Sequence, residues 1–312
     1  MAMFPNIKNT VPYIVFRRAN KALRRAVKLP RYLGTQHRCS VCQVGLRAFK
    51  PMWKSYGRNI EHFGYVHRHA EMETFNLKAF TCPKCDASDR ERLIAIYLDG
   101  IWPSLQRGRS IRLADFAPAY PLSRKIKKYP SIDYRSADLS RADVQDHIDL
   151  TDIGYPDQSV DVFLCSHIFE HIPDDRKAMR ELRRILKPGG FGLVLVPLVV
   201  GIDDTHEDPN VTTIEGRWKY FGMGDHVRQY GKRDFVRRLT ESGFFVDQLG
   251  IDYFGAETFR RAGIAENSVL YVVRREEAPM AAFATGANQG EAPLVPAAAP
   301  GLKAAGERRG SA

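Results

Sequence analysis

Residues Val160–Leu198 read VDVFLCSHIFEHIPDDRKAMRELRRILKPGGFGLVLVPL. Val160–Cys165 is a short apolar run rich in β-formers, which predicts a buried strand. A helix is expected after Pro173, with Asp174 and Asp175 at its positive end. Met179, Leu182, Ile185 and Leu186 recur at helical spacing, while Arg176, Lys177, Arg180, Glu181, Arg183 and Arg184 take the solvent side. Pro188-Gly189-Gly190 is read as its stop. Phe191–Val196 is apolar throughout, as expected of a strand covered on both faces of a parallel sheet. Strand, loop, helix, turn and strand make a βαβ unit, and ligands in such sheets bind at the carboxyl ends of the strands. Here that position is Cys165-Ser166-His167, followed by Glu170-His171.

The 312 residues suffice for one sizeable core and a smaller module. No apolar run reaches the ~18–20 residues needed to span a bilayer, and the N-terminus lacks a secretory signal pattern, so a cytoplasmic location is expected. The formal charge of +11 is unevenly placed. Met1–Ala70 holds 14 Lys and Arg against the single acid Glu61, or +13, which leaves −2 for the rest. Val15–Lys28 has an apolar side (Val15, Phe16, Ala19, Leu23, Val27) and a basic one (Arg17, Arg18, Lys21, Arg24, Arg25, Lys28). It predicts a basic amphipathic helix that would attach to an anionic membrane surface or nucleic acid; the competing reading is a packing helix. The expected organisation is a basic arm (1–30), a cysteine module with a linking helix (31–109), an α/β domain (110–276) and a disordered Ala-, Gly- and Pro-rich tail (277–312).

Four of the five cysteines form two C-x-x-C pairs, Cys39/Cys42 and Cys82/Cys85. Four thiolates suit a closed tetrahedral zinc site, although the 39 residues between the pairs exceed the usual spacing. Cys165 reads as a small buried strand residue. Ile111–Phe116 is the expected first strand of the α/β domain, leading into Asp115-Phe116-Ala117-Pro118-Ala119. Ile132–Ala137 is the second, ending at Asp138, and His147–Leu150 the third. Asp138 lies 23 positions after Asp115, close to the ~20 expected of an acid that accepts ribose hydroxyls; the alternative is a helix N-cap.

Asp161, Glu170-His171, Leu186-Lys187-Pro188-Gly189-Gly190 and Phe191 together resemble the class I S-adenosylmethionine (SAM) methyltransferases of type 11. The resemblance implies a Rossmann-like, doubly wound sheet with a small N-terminal zinc-ribbon-like module. Cys82–Leu93, CPKCDASDRERL, also resembles the run that precedes methyltransferase domains with an F-A-P loop. SAM would then be held by Asp115, Ala117, Asp138, Asp149, Leu150 and Ser166, with Asp149 taking the exocyclic amine of adenine and the amide of Leu150 a ring nitrogen. The family normally has a Gly-x-Gly loop where this chain has Ala117-Pro118-Ala119, and Pro118 offers no N–H. The fourth-strand end lacks the motifs of base methylation.

The long insertion Val199–Tyr230 should overhang the methyl group. It ends in Asp225-His226-Val227-Arg228-Gln229-Tyr230, which is similar to an H-V-R-x-Y-G run of related sequences. His226 is the candidate base, with Arg228 and Tyr230 as candidate substrate contacts; the bland reading is a helix-entry cluster. Three functions compete. The first is methyl transfer to an oxygen or nitrogen of a small molecule or saccharide. The second is RNA methylation, with docking through the basic zinc module. The third is a non-catalytic, zinc-containing interaction protein with a decayed SAM site.

Overall fold

A computed structural model describes residues 27–277. The basic helix, apart from Val27 and Lys28, and the tail beyond Glu277 lie outside the described residues. The small module contains an antiparallel pair, β1 (Leu33–Arg38) and β2 (Gly45–Leu46), and helix α1 (Lys54–His62). Helix α2 (Asp89–Leu105) follows the second cysteine pair. Its start is set by a capping box, in which Ser88 accepts from the Glu91 amide and the Glu91 side chain accepts from the Ser88 amide.

The α/β domain then runs β3 (Ile111–Phe116), α3 (Tyr120–Ile126), β4 (Ile132–Asp138), β5 (Asp146–His147), β6 (Val160–Ser166), α4 (Asp175–Ile185) and β7 (Leu186–Leu195). Next come β8 (His206–Glu207), α5 (Ile214–Phe221), β9 (Arg228–Gln229), α6 (Lys232–Glu241), β10 (Phe245–Leu249), α7 (Ile251–Phe254), α8 (Ala256–Ala262) and β11 (Leu270–Arg274). Seven strands form one sheet in the order β10-β11-β7-β6-β3-β4-β5. Strands β3 to β7 pair in parallel, while β11 runs antiparallel to both its neighbours. The chain leaves β3 for β4 and β5, then returns to β6 on the other side. The ends of β3 and β6 are therefore the topological switch point, where a ligand crevice opens. The expected Rossmann-like fold class is the one found.

Strand β6 is buried at every position but the last because both sheet faces are covered. Asp161 in this strand is buried, and it is satisfied by Arg109 at 2.8 Å, Lys187 at 2.8 Å and the Arg112 amide at 2.9 Å. It serves the amino edge of the sheet. Gly192 on β7 faces the Phe163 ring of β6 so closely that a Cβ there would lie 2.0 Å from it. Gly192→Ala should lower stability by about 1–3 kcal/mol through overpacking, read as a lower midpoint in urea. An unchanged midpoint would mean that the Phe163 ring is free to move aside.

Two boundaries differ from expectation. Helix α4 ends at Ile185, and Pro188-Gly189-Gly190 lies inside the first half of β7 instead of acting as the helix stop. The residue before a proline avoids helical angles, so the chain turns extended early, and Gly189 adopts φ +70 within the strand irregularity. The third strand stops at His147, before the expected Leu150. Asp149 Oδ1 accepts from the Thr151 amide at 2.8 Å and hydroxyl at 2.9 Å, an Asx turn that ends pairing.

The long spacer between the cysteine pairs has a structural task. It packs on the insertion after β7. Glu73 N donates to Leu198 O, Val200 N to Glu71 O, and Val66 N to Lys219 O. Phe63 stacks on Trp218 at 5.5 Å, and the buried Tyr65 hydroxyl donates to Gln229 at 2.6 Å. Tyr56, Phe63 and Tyr65 are thus used in packing, while Trp53 is 61% exposed.

Candidate functional site

The two cysteine pairs meet. Cys39 Sγ lies 3.7 Å from Cys85 Sγ and Cys42 Sγ lies 3.8 Å from Cys82 Sγ, with all four sulfurs within 4.8 Å of one another. A tetrahedral site with metal–sulfur distances of ~2.3 Å has sulfur–sulfur edges of ~3.8 Å, so the four thiols fit a metal ion. The two halves are built alike. Gln43 N donates to Cys39 O and Asp86 N to Cys82 O, and both Gln43 and Asp86 are left-handed, at φ 60 and φ 67. None of the cysteines is disulfide-bonded.

Helix α2 ties this module to the sheet. Arg92 is fully buried, and its guanidinium donates to the carbonyls of Phe80, Ala87, Ala79, Ala262 and Gly263 while lying 3.9 Å from the centre of the Phe49 ring. Arg90 Nη1 reaches the His167 ring at 3.1 Å. Ser88, Arg90 and Arg92, three of the polar residues of the Cys82–Leu93 run, thus each have a structural partner. Sequence reading missed the roles of both arginines, although the motif that contains them had been singled out.

At the carboxyl edge, three successive strands place an acid at or just beyond their ends: Asp115 on β3, Asp138 on β4 and Asp149 after β5. Asp115 is buried and accepts from Tyr134 Oη at 2.6 Å and Ser123 Oγ at 3.1 Å. Burial is the main influence on its pKa, which is pushed up to about 6 against the lowering effect of these two bonds, and the charge of nearby Glu91 acts in the same direction as burial. Glu91 Oε2 is itself buried and, among the described residues, without a hydrogen-bond partner. Ala117 makes the turn after β3 with φ 50, in the left-handed region that costs a non-glycine residue ~1–2 kcal/mol. His167, just after Ser166 at the end of β6, has φ 57. Both switch-point strands thus end in a strained residue, a pattern that concentrates at functional sites.

Asp138 Oδ1 accepts from the amides of Ser140 at 2.9 Å and Arg141 at 3.0 Å. That is an Asx turn and not a helix cap, because no helix lies between β4 and β5, and among the described residues no partner engages Oδ2. The helix N-cap reading therefore falls away, and only Oδ1 is committed to the turn. Arg141 Nη1 also holds Pro118 O at 2.6 Å, fastening the loop after β3 to the end of β4. Asp149 is exposed and Leu150 buried.

The candidate acceptor side divides. His226 is buried, its Nδ1 is 3.0 Å from Phe221 O, and burial lowers its pKa below the usual histidine value. It lies against the end of β6, because Val227 N donates to Glu170 O at 2.8 Å. His171 meets it edge-on at 4.8 Å, and Glu170 is fully buried beside both. Arg228 and Tyr230 take a different course from the one expected. Arg228 is 3% exposed and donates to the carbonyls of Phe169, Ile172 and Pro173 and to Glu207 Oε2 at 2.7 Å. Tyr230 is fully buried and donates to Asp175 Oδ2 at 2.5 Å. Their polar atoms are committed to the protein, so the expectation that they face substrate is corrected: they anchor the insertion to the start of α4.

Residues 118–194 match the family described as Methyltransferase domain. A protein of Mycolicibacterium smegmatis described as a probable S-adenosylmethionine-dependent methyltransferase is 28% identical over 140 residues, which cover 45% of this chain and 43% of that protein. The chain thus spans less than half the length of the curated relative it matches. Among solved structures, the YcgJ protein of Bacillus subtilis is 14% identical with a TM-score of 0.39, over 58% of this chain and 99% of that one. An S-adenosylmethionine-dependent methyltransferase from Mesorhizobium loti is 16% identical with a TM-score of 0.36, over 56% and 98%.

Proposed function

We propose that this chain, whose fold is that of the class I methyltransferases, transfers a methyl group from SAM to an oxygen or nitrogen of a small-molecule or saccharide acceptor. The observation that carries the reading is the row of acids Asp115, Asp138 and Asp149 along the switch-point edge, within and beside the matched domain. SAM supplies an electrophilic methyl group on a sulfonium, so the protein needs chiefly to hold the donor, orient the acceptor and exclude water. Asp138 Oδ2 would accept the ribose hydroxyls, Asp149 and the Leu150 amide would read adenine, and Ser166 would border the methionine portion. Ala117 would let the backbone come close in place of the usual glycine. His226, neutral at neutral pH and tethered through Nδ1, would take the proton of a hydroxyl acceptor. The four cysteines would hold a structural zinc ion.

Asp115 gives this reading a pH signature. Its carboxyl is held up to about 6 by burial, and a cationic donor stabilises the ionised form. The free site must therefore lose a proton to bind a cation below that pH. Affinity for S-adenosylhomocysteine, which keeps the ammonium, should fall by up to about tenfold per unit as pH drops below 6, and Asp115→Asn should flatten that profile. A profile equally steep in the variant would place the titrating group elsewhere.

The acceptor itself is found by incubating the zinc-loaded protein with isotopic methyl-SAM and fractionated small molecules, saccharides and RNA, then locating the label by mass spectrometry. Labelled RNA alone would favour the second reading. One observation supports it: an open cleft of about 1090 Å³ between the cysteine module and α3, lined by Lys84, Arg124, Lys125, Lys128 and Tyr120, with Asp86 and Asp143 also in its wall. Attachment of the basic arm to an anionic membrane surface stays a separate proposal. Among the described residues no helix is long and apolar enough to cross a membrane.

A further inference from the structure

We propose that Glu170, His171 and His226 form a second metal site, separate from the four cysteines, which takes a divalent first-row transition-metal ion. Their ligand atoms lie within 4.8 Å of one another. Closing to the ~3–3.5 Å separation of donors bound to one ion takes a side-chain adjustment of about 1 Å. Glu170 is fully buried, and among the described residues neither of its carboxylate oxygens has an aligned hydrogen-bond partner. His167 Nδ1 comes within 3.3 Å of Oε1 but is not aligned as a hydrogen bond. A buried carboxylate left in that state is costly unless a cation completes it.

The two histidines are oriented as metal ligands are. His226 Nδ1 faces Phe221 O at 3.0 Å, and His171 Nδ1 faces Asp225 O at 3.3 Å. Each ring thus has a backbone carbonyl for one nitrogen, and Nε2 is the atom left to bind, the arrangement in which a second partner fixes the tautomer of a ligating histidine. Two imidazoles and one carboxylate suit zinc, iron(II), cobalt(II) or manganese(II) better than calcium or magnesium. Three protein ligands leave coordination positions open. His171, with its side chain 37% exposed, forms the route from solvent. The site stands at the end of β6, on the edge where the acceptor would approach, so an ion there would draw an acceptor oxygen to itself and ease loss of its proton. In that state His226 acts through the ion rather than as the direct base.

The test uses full-length protein with its cysteine site already filled with zinc, titrated with cobalt(II) alone. One further equivalent should bind per chain, with ligand-field absorption and without the thiolate-to-cobalt charge-transfer band of a cysteine site. Glu170→Gln should weaken that uptake by at least about 100-fold, more than loss of a supporting contact usually costs. His171→Gln, at the exposed rim, should do the same, with an unchanged circular dichroism spectrum to show that the fold is kept. Absence of a second equivalent, a thiolate band on the added cobalt, or unchanged uptake in both variants would overturn the proposal. Because the readout is metal uptake, failure here leaves SAM binding untouched, and failure of SAM binding leaves this site untouched.

Discussion

Cys82→Ser is expected to remove the metal from the cysteine site and to unfold the module from Leu33 to Ala87. Cys82 is fully buried, its backbone closes one of the two matching turns, and its sulfur lies 3.8 Å from Cys42. The strand pair beside the site is thin, with two residues in β2 and a mostly exposed β1, so the metal adds to what the spacer's packing on the insertion supplies. In small peptide modules, structural zinc contributes about 10–16 kcal/mol of apparent binding free energy, which is folding free energy. The damage should reach the α/β domain, since Arg92 takes the carbonyls of Ala79, Phe80 and Ala87 on one side and those of Ala262 and Gly263 on the other. Metal analysis and a thermal melt check this together. A variant with one zinc per chain and an unaltered melting temperature would show that the site is not what holds the module.

Arg228→Ala should cost about 3–5 kcal/mol of stability, and its effect on an acceptor's KM should be secondary. The guanidinium is 3% exposed and lies between Glu207 at 2.7 Å and Asp175 at 3.6 Å, while also closing three carbonyls at the turn before α4. Removing one partner from a buried ion pair leaves the other charge uncompensated. Arg238 remains 3.0 Å from Asp175, which places the expectation at the lower end of that range. Urea unfolding measures it directly. Wild-type stability with a raised KM would restore Arg228 as a substrate contact.

What could be read from the sequence follows from how local each signal is. The βαβ unit from Val160 to Leu195 was legible because continuous apolar runs and 3.6-residue patterning are set by residues a few positions apart. The cysteine pairs were legible by spacing, although the purpose of residues 43–81 was not, since their partners lie beyond β7. Arg92 looks like any solvent-facing arginine of a helix; only the fold shows five carbonyls converging on it. Arg228 and Tyr230 were misread for the opposite reason, as a polar cluster in an insertion resembles a site until its partners Glu207 and Asp175 are seen. Glu170 and His171 follow the ligand-bearing strand end in the sequence. Their significance depends on His226, distant in sequence and brought beside them by the Val227–Glu170 hydrogen bond.

Calorimetric titration of zinc-loaded protein with S-adenosylhomocysteine at neutral pH decides whether the strand ends hold the cofactor. One site per chain is expected, with a loss of about 1.5–3 kcal/mol in Asp138→Ala, the range for a hydrogen bond to a charged group. No heat from folded, metal-replete protein at high ligand concentration, or binding that ignores Asp138, would contradict it.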